Sequence, residues 1–194
     1  MFQDIKSALR PALVLTLGFA ILLGLLYPLA MTGIGQALFP AQANGSLIRN
    51  ENGTVIGSAL IGQNFTDDAY FRGRPSAAGD GYDAMASSGS NFGPGATALT
   101  ERVRGDIATL ETSPEGSIPP DLVTASASGL DPHISPEAAF SQVERVAAAR
   151  VVPVDQLRAL VEAQIERPLL GFVGEPRVNV LLLNIALDRA DPRP

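Results

Sequence analysis

Apolar residues fall along this chain in two different patterns. From Ala12 to Met31 the sequence is almost unbrokenly apolar, and no charged residue occurs between Arg10 and Arg49. At the α-helical rise such a run spans ~30 Å, the thickness of a bilayer's hydrocarbon core. Beyond Ala41–Ser46, which reads as a short linker, the apolar positions become short and periodic. Leu47-Ile48 and Thr54-Val55-Ile56 flank Asn50-Glu51-Asn52-Gly53, and Asn-Gly between two apolar runs predicts a β-hairpin. The second strand is expected to continue through Ala59-Leu60-Ile61 over a bulge at Gly57. Residues 72–96 are rich in Gly, Ser, Ala and Asp and predict a long loop, a feature often functional or ordered by a partner. Leu99, Val103, Ile107 and Leu110 then recur at helical spacing, predicting a helix over roughly 95–111.

The second half alternates breaks and helices. Pro114–Pro120 interrupts the chain, and Leu122-Val123-Thr124 reads as a short strand. Ser135-Pro136-Glu137 supplies an N-cap, a first-turn proline and a first-turn acid. The helix it opens runs to about Arg150, with Phe140, Val143, Val146 and Ala147 inward. Val152-Pro153 ends it and starts another, which runs to about Ile165 with Leu157, Leu160, Val161 and Ile165 inward; Pro168 stops that helix. Val178–Leu187 fits a buried strand or a buried helix by period alone, and Asn179 as a cap favours a helix ending at Arg189. The expected fold is α+β: an N-terminal arm (1–10), one transmembrane helix (11–38), and a single extracytoplasmic domain (39–194) with a small sheet and several helices.

Two readings compete for the apolar run. Basic residues precede it and Ala41-Gln42-Ala43 resembles a signal-peptide cleavage site. Signal cores, however, span only ~7–15 residues. This run is longer, and Ala43 lies well past its end, so an uncleaved anchor is the better reading. Lys6, Arg10 and the amino terminus favour the cytoplasm, which places the following domain outside. Thr16, Ala20 and Gly24 recur every four residues, and small residues at that spacing let another helix approach closely, although Gly and Ala are common in any membrane helix. Pro28 is expected to kink or loosen the last turns, and Tyr27 and Phe39 to sit near the outer interface.

Charge narrows the partners. The chain carries a formal charge of −6, and after residue 38 it has 12 basic and 19 acidic side chains, a formal charge of −7. General electrostatic binding to nucleic acid is excluded, because phosphate neutralisation needs a basic patch. Cysteine is absent, which removes disulfides, thiolate chemistry and Cys-based zinc sites. The single histidine, His133, stands two residues from Asp131 with several serines nearby, so a Ser-His-Asp arrangement is conceivable. No Gly-x-Ser-x-Gly elbow supports it, and a lone histidine before a helix is more often a structural hydrogen-bonder. No phosphate-binding loop of the Gly-x-x-x-x-Gly-Lys type occurs, and the only lysine is Lys6. Arg72 and Arg74 are candidates to hold a carboxylate on a partner, or to pair with Asp67, Asp68 or Asp80 in the same domain.

Dense turn-and-cap strings remain: Gly57–Phe65, Tyr70–Ser76, Ser88–Pro94 with Asn91 at its centre, Val123–Pro136 with Asp131 and His133, Gln142–Ala147, and Gly174–Leu181. In this order, and with the N-terminal helix, they resemble the C subunits of Kdp potassium-transporting ATPases, the KdpC family, over essentially the whole chain. The resemblance implies a bacterial inner-membrane complex with a channel-like potassium-binding A subunit, a P-type ATPase B subunit and a small F subunit. It implies an accessory chain with no catalytic residue or metal of its own, since no Asp-Lys-Thr-Gly-Thr phosphorylation site is present and one helix builds no ion pathway. Two roles are attributed to such subunits. One stabilises assembly and caps the outer potassium entrance. The other is a "catalytic chaperone" that raises the ATPase subunit's affinity for ATP, with the nucleotide shared between them. On this reading Thr16, Ala20 and Gly24 are candidate helix-packing positions, and Arg72, Arg74, Asn91, Asp131 and His133 are candidate partner contacts or structural positions.

Overall fold

A computed structural model of the protein describes residues 2–110, 117–168 and 171–192. It divides into two compact units at Leu47/Ile48. The first unit is built on one long helix. Helix α1 (Phe2–Ile21) passes through a π turn at Leu22–Leu26 into α2 (Tyr27–Leu38). The stretch Ile5–Leu38, 34 residues, is long and apolar enough to cross a membrane; at the helical rise it measures about 51 Å. The loosening expected at Pro28 takes a definite form. Proline lacks an N–H and crowds the carbonyl four residues back, here Gly24. The ladder widens just before it, and the Tyr27 N–H donates to the Leu22 carbonyl, five residues back.

Ala41–Ser46 is not the plain linker that composition suggests. A single helical turn, α3 (Pro40–Ala43), occupies its first half. The Asn44 amide donates to the Pro40 carbonyl at 2.7 Å and to Gln36 Oε1 at 3.0 Å, which folds the turn back on α2.

The expected hairpin starts at the boundary residue, with β1 (Leu47–Arg49) and β2 (Val55–Ser58). Its turn closes on Asn50, whose carbonyl accepts the Gly53 N–H at 2.9 Å and whose Oδ1 accepts the Thr54 N–H at 2.9 Å. The second strand does not run on over a bulge. The Ser58 carbonyl and hydroxyl accept the N–H groups of Ile61 and Leu60, and the chain turns away. A Cβ at Gly57 would lie 2.8 Å from Leu181 Cδ2, so glycine here lets that side chain pack close to the strand. Residues 59–96 contain no helix or strand, as the composition of 72–96 indicates. Helix α4 (Thr97–Thr109) follows, with Leu99, Val103 and Leu110 half-buried and Ile107 exposed. Its expected end at Glu111, and the break at Pro114–Gly116, lie outside the described residues.

No strand forms at Leu122–Thr124: a 3₁₀ turn (Pro120–Leu122) runs into it, and the N–H groups of Leu122 and Val123 donate back to the Pro119 and Pro120 carbonyls instead of to a ladder. The small sheet lies elsewhere. β3 (His133–Ile134), β4 (Ile165–Glu166) and β5 (Arg177–Asn179) form an antiparallel sheet in the order β3-β5-β4, with Ile134 and Ile165 both opposite Val178. Two helices contact its central strand, α5 (Pro136–Ser141) and α8 (Val180–Ala190), and α6 (Val143–Arg150) and α7 (Val154–Ala163) pack with them.

Ser135 caps α5 by accepting the Ala138 N–H at 3.0 Å. The helix expected to run from there to Arg150 is split at Gln142, because the Ser141 hydroxyl and the Gln142 amide both donate to the Ala138 carbonyl, displacing the backbone bond. Ile165 falls in β4 rather than in α7. At the C-terminus the capped-helix reading holds: Asn179 Oδ1 accepts the Leu182 N–H at 3.1 Å. The core gathers Phe71, Ile134, Val143, Val146, Leu157, Val161, Val178, Leu183 and Leu187.

Candidate functional site

Asp131 joins the sheet edge to the irregular half of the domain. Pro132 makes the Asp131-Pro132-His133 stretch a turn, and Asp131 Oδ1 accepts the His133 N–H at 3.0 Å. The same oxygen lies 3.3 Å from His133 Nδ1, while Oδ2 accepts from Arg74 Nη1 at 3.2 Å. Arg74 also reaches the Thr124 carbonyl and hydroxyl, at 3.2 and 3.4 Å. Two segments 57 positions apart thus meet at one carboxylate. The His133 hydrogen bond is the main cause holding the Asp131 carboxyl below its usual range, against the opposing effect of burial. Tyr82 packs behind this group and donates its hydroxyl to the Arg74 carbonyl at 2.8 Å. Burial, reinforced by the negative charge of Asp131, pushes that phenol up to about 12, so it stays a donor.

Arg74 and Asp131 form a wall shared by two open clefts. One, of about 790 Å³, is lined on its other sides by Pro119, Asp121, Thr124, His133 and Glu137. The other, of about 690 Å³, is lined by Leu60, Ser87, Ala127 and Ser128. The first cleft offers an imidazole oriented by a carboxylate, a group suited to hydrogen bonding with a polar ligand. It does not assemble a hydrolytic triad from Ser135, whose hydroxyl is committed to Asp121 and to the Ala138 N–H. Among the described residues no three His, Asp or Glu side chains stand together as a metal site.

The other candidates separate. Arg72 does not join Arg74. It pairs with Asp68 at 2.6 Å and reaches the Thr66 carbonyl, while Arg74 takes Asp131 rather than Asp67, Asp68 or Asp80. Asn91 is exposed, has a left-handed backbone (φ 52), and does not line either cleft. Thr16 and Ala20 lie on α1, while Gly24 falls inside the π turn, which rotates it from its place on a regular helix face; all three are exposed in this single chain.

What positions Arg72 and Arg74 is a feature that motif reading missed. Residues 68–72 present five consecutive carbonyls, and each accepts from a side chain of the helical half. Arg145 donates to Asp68 and Tyr70, Arg150 to Ala69, Asn184 to Phe71 and Gln142 to Arg72. Asn184 and Gln142 also accept the N–H groups of Phe71 and Arg72, so two amide side chains replace a partner strand. Arg150 is locked by Asp188 at 2.6 Å and lies 4.7 Å from the centre of the Tyr70 ring. The signal was in the helical phase. Arg150 follows Val143, Val146 and Ala147 on the inward face of α6, and Asn184 sits among Val180, Leu183 and Leu187 on that of α8.

The architecture defines a class: one long apolar helix followed in the chain by a small α+β domain with an ion-paired cleft wall. Residues 9–189 match the family model described as KdpC: K+-transporting ATPase, c chain. The chain is 60% identical over 187 residues to the potassium-transporting ATPase KdpC subunit of Caulobacter vibrioides, covering 96% of this chain and 95% of that protein. It is 53% identical over 192 residues to the corresponding subunit of Myxococcus xanthus, covering 97% and 89%. The chain belongs to the KdpC family.

Proposed function

We propose that this chain is a non-catalytic accessory subunit of an ATP-driven potassium uptake complex. Its long helix crosses the bacterial inner membrane with the amino terminus in the cytoplasm. Its domain stands outside, stabilises assembly of the channel-like and ATPase subunits, and caps the outer potassium entrance. The observation that carries this reading is the pairing of a family match over residues 9–189 with a long apolar helix whose N-terminal turns carry Lys6 and Arg10. One helix encloses no ion path. Basic residues on the N-terminal side favour an outside domain, away from cytoplasmic nucleotide. The chain's one lysine lies in the first turns of that helix, which leaves the domain without the lysine that nucleotide loops use.

A topology reporter fused after Pro194 tests the reading. An extracytoplasmic signal, together with loss of high-affinity potassium uptake when the chain is deleted, is the expected result. A cytoplasmic signal would overturn the cap and would favour the nucleotide-affinity role.

A further inference from the structure

The loop between β4 and β5 carries an aromatic side chain with no place in the domain's own packing. Phe172 is 77% exposed and Val173 53% exposed. The stem below is fixed: Glu166 and Arg177 face each other across the strands and pair at 2.9 Å, and the next residue, Val178, is fully buried. The tip is shaped rather than merely extended. Gly171 and Gly174 adopt φ of 79° and 102°, and the Gly171 N–H donates to the Pro168 carbonyl at 3.1 Å. A Cβ on either glycine would meet nothing within 4 Å, so the tip stands clear of the domain.

Two surfaces accept an exposed aromatic tip: a bilayer and an apolar pocket on another protein. Attraction to an anionic bilayer calls for a basic flank. Here the collar is Glu166, Arg167, Glu175 and Arg177, which sums to zero, and one pair is already internally neutralised. An aromatic anchor inside a neutral polar rim is the arrangement of a protein-interface hot spot.

We propose that Phe172 and Val173 form the anchor by which this domain docks into an apolar, uncharged pocket on the extracytoplasmic face of a partner subunit. The inference rests on the reading of the chain as a complex subunit with its domain outside. The test uses the full chain, co-expressed with the other subunits of its complex. The photo-crosslinking residue p-benzoylphenylalanine replaces Phe172, and separate variants carry Phe172→Asp and Phe172→Leu. Illumination is expected to yield a covalent adduct with a partner subunit. Phe172→Asp is expected to reduce co-purified partner roughly tenfold, and Phe172→Leu to retain most of it. Thermal melts of both variants should match the parent, because the side chain leaves the core untouched. Absence of the protein adduct, or unchanged co-purification of Phe172→Asp, overturns the docking tip while leaving the subunit reading intact. Adducts with lipid alone also overturn it and assign the tip to the bilayer. Failure of the unaltered chain to co-purify overturns the subunit reading, and this inference with it.

Discussion

Replacing Asn184 with leucine tests whether the irregular half of the domain hangs on the helical half. Asn184 is 2% exposed, and its amide makes two hydrogen bonds of 2.9 Å to the backbone N–H and carbonyl of Phe71, itself fully buried. Leucine has the same branched skeleton of side-chain heavy atoms, so no cavity opens. What changes is that both polar groups of Phe71 lose their partner. A buried unsatisfied group costs about 1–3 kcal/mol, giving about 2–6 kcal/mol for the two. Burying leucine returns part of this, on the order of 2 kcal/mol. The central expectation is a net loss of about 2 kcal/mol, or about 4–8 °C in Tm for a domain of this size. Thermal unfolding of the detergent-solubilised full chain, followed by near-ultraviolet circular dichroism of the tyrosines, reads the loss. Tyr70 and Tyr82 belong to the region the clamp holds, so their signal should fall first. An unchanged or raised Tm would refute the reasoning, since it would mean that Phe71 finds other partners or that its strand-like path is held by packing alone.

Further outcomes follow from single positions. Val151 closes α6 in a left-handed conformation (φ 58) with its side chain 91% exposed, so Val151→Gly relieves backbone strain without losing packing and should raise stability by about 1 kcal/mol in urea unfolding. Ser135→Ala removes the α5 cap and should cost about 1 kcal/mol in the same experiment. A Cβ at Gly62 would meet the Tyr82 ring and lie 2.8 Å from the Asp131 carbonyl oxygen, so Gly62→Ala should cost about 1–3 kcal/mol and disturb the cleft wall. Because the Asp131 carboxyl is lowered, chiefly by its His133 bond, its contribution is fully present above the ordinary carboxyl value of ~3.9. It is lost as pH falls through the lowered native value. Asp131→Asn should therefore flatten the acid limb of the stability curve below about pH 4, and an acid limb as steep as the parent's would count against this role.

The parts of the fold legible in the sequence are those whose conformation is decided locally. The hairpin follows from Asn52-Gly53, the α5 cap from Ser135-Pro136, and the α8 cap from Asn179, because each signal acts within a few residues. The errors share one cause, which is a competing interaction from outside the window. Gln142 breaks a helix that its neighbours would continue, because its amide serves Arg72, 70 positions away, as well as Ala138. Leu122–Thr124 has strand-like residues but no partner strand, and its carbonyls instead accept from Arg102 and Arg74. The same limit applies to the cleft. Asp131 and His133 are close in sequence and could be read as a pair, whereas Arg74 joins them across 57 positions and Arg72, two residues from it, goes elsewhere.

The polar residues that make these long connections were nevertheless visible by their phase. Gln142, Arg150 and Asn184 are all nearly buried and occupy positions where helical spacing calls for an apolar side chain. A buried polar group without a partner is strongly unfavourable, so each such residue implies a backbone segment brought to it. Here that segment is 68–72, which has no ladder of its own. Its path, and through it the placement of Arg72 and Arg74, is set by helices on the far side of the sequence. The cleft wall is therefore not an independent loop feature: a substitution at Asn184 or Gln142, neither of which lines the two clefts, should move Arg74 relative to Asp131. By contrast, the β4–β5 tip rises from the sheet itself and does not depend on the clamp. The two surfaces can accordingly be perturbed separately, and a loss of partner binding on Phe172→Asp with an intact Asp131–Arg74 pair would assign docking to the tip rather than to the cleft.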